Sequence, residues 1–298
     1  MEENEPAAVE ALVFPEDFVS WGARRFSEHG LHFGHGTDNA MDEARWLVIH
    51  ALGLDPQSTG SLPPLELSAA QREAVAALIE RRIASRKPAA YLTGEAWFAG
   101  LKFYVDERVL VPRSPIAEWI ERAFQPFLIP ARTSRILDLG TGCGCIAVAL
   151  ALAFPEAQVD ASDVSPAALE VARMNVEAHG LADRVRLIRS NVFDRLTEKY
   201  DLIVSNPPYV PEPSFRKLPR EYRHEPETGL LAGFQGLDVV SEILRHAPSH
   251  LRPEGLLVVE VGEAREALES RYPDLPFLWL EMTRGGDDVF VLSKEELS

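Results

Sequence analysis

Cysteine is almost missing from this chain: Cys143 and Cys145, one residue apart, are the only two among 298 residues. A disulfide between such near neighbours would be strained, and two thiols do not complete a zinc site. They read as small residues of a reduced, cytoplasmic protein. Cations are in deficit as well. Thirty Lys and Arg face 46 Asp and Glu, a formal net charge of −16. That argues against a protein that binds by neutralising phosphates and fits a small ligand or a basic protein partner. Long apolar runs are lacking too, none approaching the ~20 residues of a bilayer-spanning helix. The opening Met1-Glu2-Glu3-Asn4-Glu5 is acidic and reads as neither a secretory signal nor a transit peptide. The eight histidines are scattered without ligand spacing, so no metal is expected.

What is present suffices for a packed fold. Hydrophobic residues make up 46%, and the length allows one large or two ordinary domains. Residues 1–85 hold six Lys and Arg against fourteen Asp and Glu, about half the net charge. They predict three helices: from about Glu16 to Gly30, from about Asn39 to Leu52, and one opened by the capping box Ser68-Ala69-Ala70-Gln71. Trp97 to Pro112 is rich in β-formers and reads as a hairpin. Ser114-Pro115 predicts the cap and first position of another helix. Domain boundaries follow: residues 1–90 helical, 91–113 a β-hairpin connector, 114–298 an α/β domain.

In that last part strands are expected at 135–139, 158–162, 184–188, 201–205, 256–261, 277–282 and 289–292. Helices are expected at 143–153, 166–178, 237–247 and 263–271. Alternation of this kind predicts a seven-stranded, mostly parallel sheet covered on both faces. The last two strands lie too close in sequence for both to be parallel.

The first of these strands ends in Asp138-Leu139 and runs into Gly140-Thr141-Gly142-Cys143-Gly144 before a helix of small residues. Glycines let a backbone pass close beneath a ligand, and helix amides are expected to point at it. The second strand ends in Asp163, placed to accept hydrogen bonds from ribose hydroxyls. The spacing G-x-G-x-G is not the dinucleotide fingerprint G-x-G-x-x-G. A carboxylate at Asp138 suits a sulfonium or ammonium, as in S-adenosylmethionine, better than a pyrophosphate. A nucleotide cofactor and a turn without ligand remain the alternatives. Asn191 and Val192, after the third strand, stand where an adenine could be flanked.

The fourth strand ends in Ser205-Asn206-Pro207-Pro208-Tyr209. Two prolines remove two backbone donors and stiffen the chain. Free carbonyls, the Asn206 side-chain oxygen and the Tyr209 ring suit a planar group bearing an –NH2, such as a carboxamide or a base amine. Acceptors on both protons of such a nitrogen would turn its delocalised lone pair toward a methyl donor, so catalysis would come from orientation and aimed dipoles. A loop from Val210 to Gly236, with four prolines, is read as a lid or substrate-binding loop.

Taken together, the stretches DLGTGCG, ASD at 161–163 and SNPPY at 205–209 resemble the HemK-type family of S-adenosylmethionine-dependent protein glutamine methyltransferases. The resemblance implies a class I, Rossmann-like methyltransferase domain behind a helical substrate-recognition domain. Release-factor members carry a different motif after the hairpin. Here His35-Gly36-Thr37-Asp38-Asn39-Ala40, Pro112-Arg113-Ser114-Pro115-Ile116-Ala117-Glu118 and Glu225-Pro226 are similar to the PrmB-type branch. That branch methylates N(5) of a glutamine in the basic large-subunit ribosomal protein L-three, free or in a ribosome assembly intermediate. By the same resemblance Gly140 to Gly144 and Asp163 bind the cofactor, Asn206 touches both cofactor and glutamine, and Pro207, Pro208 and Tyr209 hold the glutamine. The alternatives are glutamine methylation of release factors and adenine-amine methylation of nucleic acid.

Overall fold

The computed structural model describes residues 11–55, 62–283, 285–286 and 288–297. The acidic opening pentapeptide and Asp287 lie outside them. Two compact units emerge from the contacts: Met1–Glu95 with Pro219–His224, and Ala96–Leu218 with Glu225–Ser298.

The first unit is helical, with α1 Pro15–Glu28, α2 Ala40–Ala51, α3 Ala69–Ser85 and a short α4 Ala89–Thr93. The apolar stripes that the sequence placed on the first three helices close on one core, including Phe18, Phe26, Leu47, Val75 and Ile79. The cap at Ser68 forms as its sequence predicts, and Asn39 caps α2 by accepting from the Asp42 amide at 2.9 Å. The core also holds charge. Arg82, fully buried, donates Nε–H to Glu43 at 2.7 Å, and Thr37 donates its hydroxyl to the same carboxylate at 3.1 Å. Glu221, from the Pro219–His224 segment, accepts from Arg86 at 3.0 Å and from the His32 amide at 3.1 Å. The HGTDNA stretch is therefore first a piece of architecture: a cap, a partner for a buried glutamate, and His35 buried against the Tyr222 ring at 4.4 Å.

The second unit opens on a hairpin, β1 Glu95–Phe98 and β2 Leu101–Tyr104, followed by α5 Ala117–Glu121. The sequence of elements is then β3 Arg135–Leu139, α6 Cys145–Ala153, β4 Gln158–Asp163, α7 Pro166–Ala178, β5 Val185–Arg189, β6 Tyr200–Ser205, α8 Glu212–Phe215, α9 Asp238–His250, β7 Leu251–Glu260, α10 Arg265–Arg271, β8 Leu278–Trp279 and β9 Val289–Ser293. These strands form one seven-stranded sheet in the order β5-β4-β3-β6-β7-β9-β8. All pairs from β5 to β7 are parallel, and β9 runs antiparallel to both its neighbours. The apolar runs of β3, β6 and β7 are buried along nearly their whole length, as strands covered on both faces must be.

Differences from the sequence reading have local causes. The hairpin strands are four residues each, because Asp106 turns the chain by accepting from the Val109 amide at its carbonyl and from Arg108 at its carboxylate. Ser114-Pro115 opens a turn, and α5 begins only at Ala117: the Ser114 hydroxyl accepts the Ile116 amide at 3.3 Å and at the same time donates to Glu260. The expected strand over 277–282 shrinks to Leu278–Trp279.

Candidate active site

The order of the sheet changes direction between β3 and β6: β4 and β5 follow on one side of β3, while β6 and β7 lie on the other. Open α/β sheets bind ligands outside the carboxyl ends of their strands at such a point. The glycine turn leaves β3, Asp163 ends β4, and Asn206 follows β6, so three motifs far apart in sequence become neighbours. Ser205 locks the junction by donating its hydroxyl to the Leu139 carbonyl at 2.6 Å. A cleft of about 210 Å³ opens here, and Gly140, Thr141, Gly142, Cys143, Asp163, Asn191, Val192, Asn206, Pro207, Pro208 and Tyr209 all line it.

Asp138 and Gly144 are not among the residues that line the cleft. Asp138 is fully buried, accepting the Thr141 hydroxyl at 2.5 Å and the Ala147 amide at 3.0 Å. It caps the first turn of α6. Its second oxygen, Oδ1, is buried without a hydrogen bond. Gly144 has φ +84°, and a Cβ there would meet Ala172 of α7 at 3.2 Å, so this glycine lets two helices approach. The amides of the turn itself are engaged within the protein. Those of Gly140 and Thr141 donate to the Ser162 carbonyl, that of Gly142 to Asp163, and that of Gly144 to the Thr141 carbonyl. Above Gly140 and Gly142 an added Cβ would meet nothing within 4 Å, which leaves room for a ligand to lie against the bare backbone.

Burial pushes the Asp138 carboxyl up to about 7. Its folded value therefore exceeds its unfolded one of about 4. The folded state holds the extra proton between the two, so this group's stabilisation is complete at low pH and is lost as pH rises through 7. We expect Asp138→Asn to gain on the parent chain between pH 5 and pH 8, by at most about 2.5 kcal/mol. Thermal unfolding of the ligand-free protein at the two pH values checks this; a constant difference would contradict it.

Asp163 accepts from the Gly142 amide at 2.9 Å and the Ser165 amide at 2.8 Å, one on each oxygen. Each oxygen keeps a further lone pair, enough for a vicinal diol. Val192 follows β5 with φ +44°, a strained conformation for a β-branched residue, held where Ser190 donates its hydroxyl to the Val192 carbonyl at 2.9 Å. Asn191 is exposed beside it. The half-buried Asn206 side chain makes no hydrogen bond to another described residue. An uncommitted carboxamide on the wall of a cleft is ready to bind one.

The opposite wall joins two more distant stretches. Arg113 pairs with the buried Glu225 through both nitrogens, at 2.6 and 2.8 Å, and Glu225 also accepts the Val111 amide at 3.0 Å. Gly229 sits on Leu110, where a Cβ would come within 3.0 Å of its Cγ. So the two stretches are joined, and Pro112 to Ser114 from one and Pro226, Thr228 and Gly229 from the other line the cleft. Glu225→Ala strands a guanidinium and an amide, and we expect a stability loss of roughly 2–4 kcal/mol, to be read from urea unfolding.

Compared with known proteins, residues 17–94 match the family model described as PrmC N-terminal domain, and residues 123–217 match Methyltransferase small domain. The chain is 47% identical over 291 residues to the ribosomal protein uL3 glutamine methyltransferase of Neisseria meningitidis serogroup B, covering 97% of this chain and 96% of that one. It is 49% identical over 293 residues to that of Xylella fastidiosa, covering 98% and 94%. The chain belongs to the ribosomal protein uL3 glutamine methyltransferase family. The family's enzyme from Bordetella pertussis is 44% identical over 284 residues, with 95% of each chain covered. Among solved structures, the hMettl16 catalytic domain superposes with a TM-score of 0.51 at 19% identity, covering 78% of this chain and 85% of that one. That likeness is one of fold, and the fold is the class I methyltransferase sheet. Membership bears out the PrmB-type reading over the release-factor and nucleic-acid alternatives. The methyltransferase domain implies a donor of the S-adenosylmethionine type. No helix among the described residues is long and apolar enough to cross a membrane, and no described cluster of His, Cys, Asp and Glu could hold a metal.

Sequence reasoning missed Glu260 and the partnership of Glu225 with Arg113. Glu260 did leave a signal: a lone acid at the carboxyl end of the apolar run Leu256-Leu257-Val258-Val259.

Proposed function

We propose that this protein transfers the methyl group of S-adenosylmethionine to the side-chain amide nitrogen, N(5), of a glutamine in ribosomal protein uL3, working in the cytoplasm. The observation that supports it most is the Asn206 carboxamide, uncommitted among the described residues, just past the end of the strand beside the glycine turn. S-adenosylmethionine, when bound, supplies a methyl on an electrophilic sulfonium carbon. Asp163 would take the ribose hydroxyls, Asn191 and Val192 would flank the adenine, and the bare backbone of Gly140 and Gly142 would underlie the rest.

On the other side, the Asn206 oxygen and the Pro207 carbonyl would accept the two protons of the glutamine –NH2, with Pro208 and the Tyr209 ring as its floor. Held so, the nitrogen's lone pair is drawn out of conjugation and aimed along one line. Its bond to the methyl carbon forms as the carbon–sulfur bond breaks. The methylated nitrogen is then acidic enough to release its proton to water, so no strong general base is needed. Aimed dipoles and orientation account for the rate. The helical unit would recognise the substrate protein.

The test is transfer of a labelled methyl group to purified uL3, with mass spectrometry locating it on a glutamine. Label entering only a release factor would overturn the substrate assignment. The charge of −16 adds a kinetic expectation for a basic partner. Raising ionic strength from about 0.05 to 0.5 M should lower kcat/KM for uL3 at least several-fold. An unchanged value would mean that the acidity serves solubility alone.

A further inference from the structure

Glu260 ends β7, and the pairing of Ser205 with Val259 sets it beside Asn206. Its carboxylate is buried and takes hydroxyls from two segments that both line the cleft. Tyr209 donates to Oε1 at 3.0 Å, and Ser114 donates to Oε2 at 2.5 Å. The Tyr209 ring is hemmed in further. A Cβ on Gly262, whose φ is +44°, would stand 2.4 Å from its Cε2, and a Cβ on Gly236 would stand 2.2 Å from the Tyr209 carbonyl oxygen. The ring is thus fixed at its hydroxyl, its edge and its backbone.

A buried carboxylate is costly, and well-packed apolar residues often replace one without loss of stability. Burial does raise the Glu260 carboxyl, against the two hydroxyls and the charge of Arg113. A residue kept at such a cost at the end of an apolar strand, gripping the tyrosine of the NPPY motif, points to function.

We propose that Glu260 is a positioning residue for the methyl transfer. Through the Tyr209 hydroxyl it sets the ring under the glutamine carboxamide, and through Ser114 it ties that floor to the opposite wall. This rests on the function proposed above. Misplacing a reacting group by about an ångström can cost on the order of a hundredfold in rate. A slack ring would therefore lower kcat while leaving the docking of the protein substrate intact.

Two conservative variants separate reach from charge in the full-length chain. Glu260→Gln keeps the reach: its amide oxygen accepts from one hydroxyl and its –NH2 donates to the other. Glu260→Asp keeps the charge but withdraws it by one methylene. With uL3 and S-adenosylmethionine as substrates, we expect Glu260→Gln to hold kcat within about threefold of the parent chain. Glu260→Asp should lose at least about tenfold in kcat, with KM for uL3 and the donor's Kd within about threefold. In a Tyr209→Phe background, adding Glu260→Asp should cost less than about threefold, since of its two hydroxyl partners only Ser114 remains.

The reverse order of the two variants, or an undiminished Asp penalty in the Phe background, would overturn the inference. A parent chain that leaves uL3 unlabelled would remove the substrate assignment, and this role with it. Labelled uL3 with the wrong pattern among variants would remove this role alone.

Discussion

Asn206→Ala should lower single-turnover methylation of uL3 by roughly 10²–10³-fold, the usual consequence of losing one preorganised dipole aimed at a reacting group. The reason is local. Asn206 has no structural hydrogen bond to lose among the described residues, and its strand is held by Ser205 and by buried apolar neighbours. Truncating it should leave the fold unmoved, with a melting temperature within about 2 °C. Donor affinity should change less than about threefold by calorimetry, because Asp163 and the glycine turn are untouched. An equal fall in donor binding and turnover would mean that Asn206 serves the donor and not the reacting amide.

Asp163→Ala should do the opposite. Hydrogen bonds to a charged acceptor contribute about 1.5–3 kcal/mol each, so losing a carboxylate proposed to accept from two hydroxyls should raise the donor's Kd by about 100-fold or more. Turnover at saturating donor should stay within about fivefold. The carboxylate also accepts the Gly142 and Ser165 amides, so a modest drop in thermal stability should accompany the loss of affinity. Burial raises the Asp163 carboxyl, which makes donor affinity weaken as acidification protonates it. Unchanged donor affinity in Asp163→Ala would remove Asp163 from the donor site.

Sequence and structure agree where periodicity or chemistry is local. β3 and α7 run over the residues their patterns predict, and the caps at Asn39 and Ser68 form as their side chains dictate. They part where a distant residue competes. Ser114 looks like a helix cap by itself and does accept the Ile116 amide, but its proton goes to Glu260, 146 positions later, which no local pattern shows. At Asp138 the spacing shows a carboxylate beside the glycine turn, and only the fold shows the Thr141 hydroxyl and the Ala147 amide converging on one of its oxygens at the base of α6. The loop after Tyr209 reads as a single lid. In three dimensions Pro219–His224 packs with the helical unit through Glu221, while Pro226 to Leu230 lines the cleft.

The amino-acid order by itself determined the strand–helix alternation, the glycine turn and the tetrapeptide Asn206-Pro207-Pro208-Tyr209. Each depends on residue type at short spacing. Tertiary structure alone decided that β3 and β6 lie side by side, so that a turn at 140 and an amide at 206 share one cleft. It also decided that Glu260 grips Tyr209 and Glu225 grips Arg113. Strand order and long-range polar pairing depend on which surfaces bury together, and no window along the chain contains both partners.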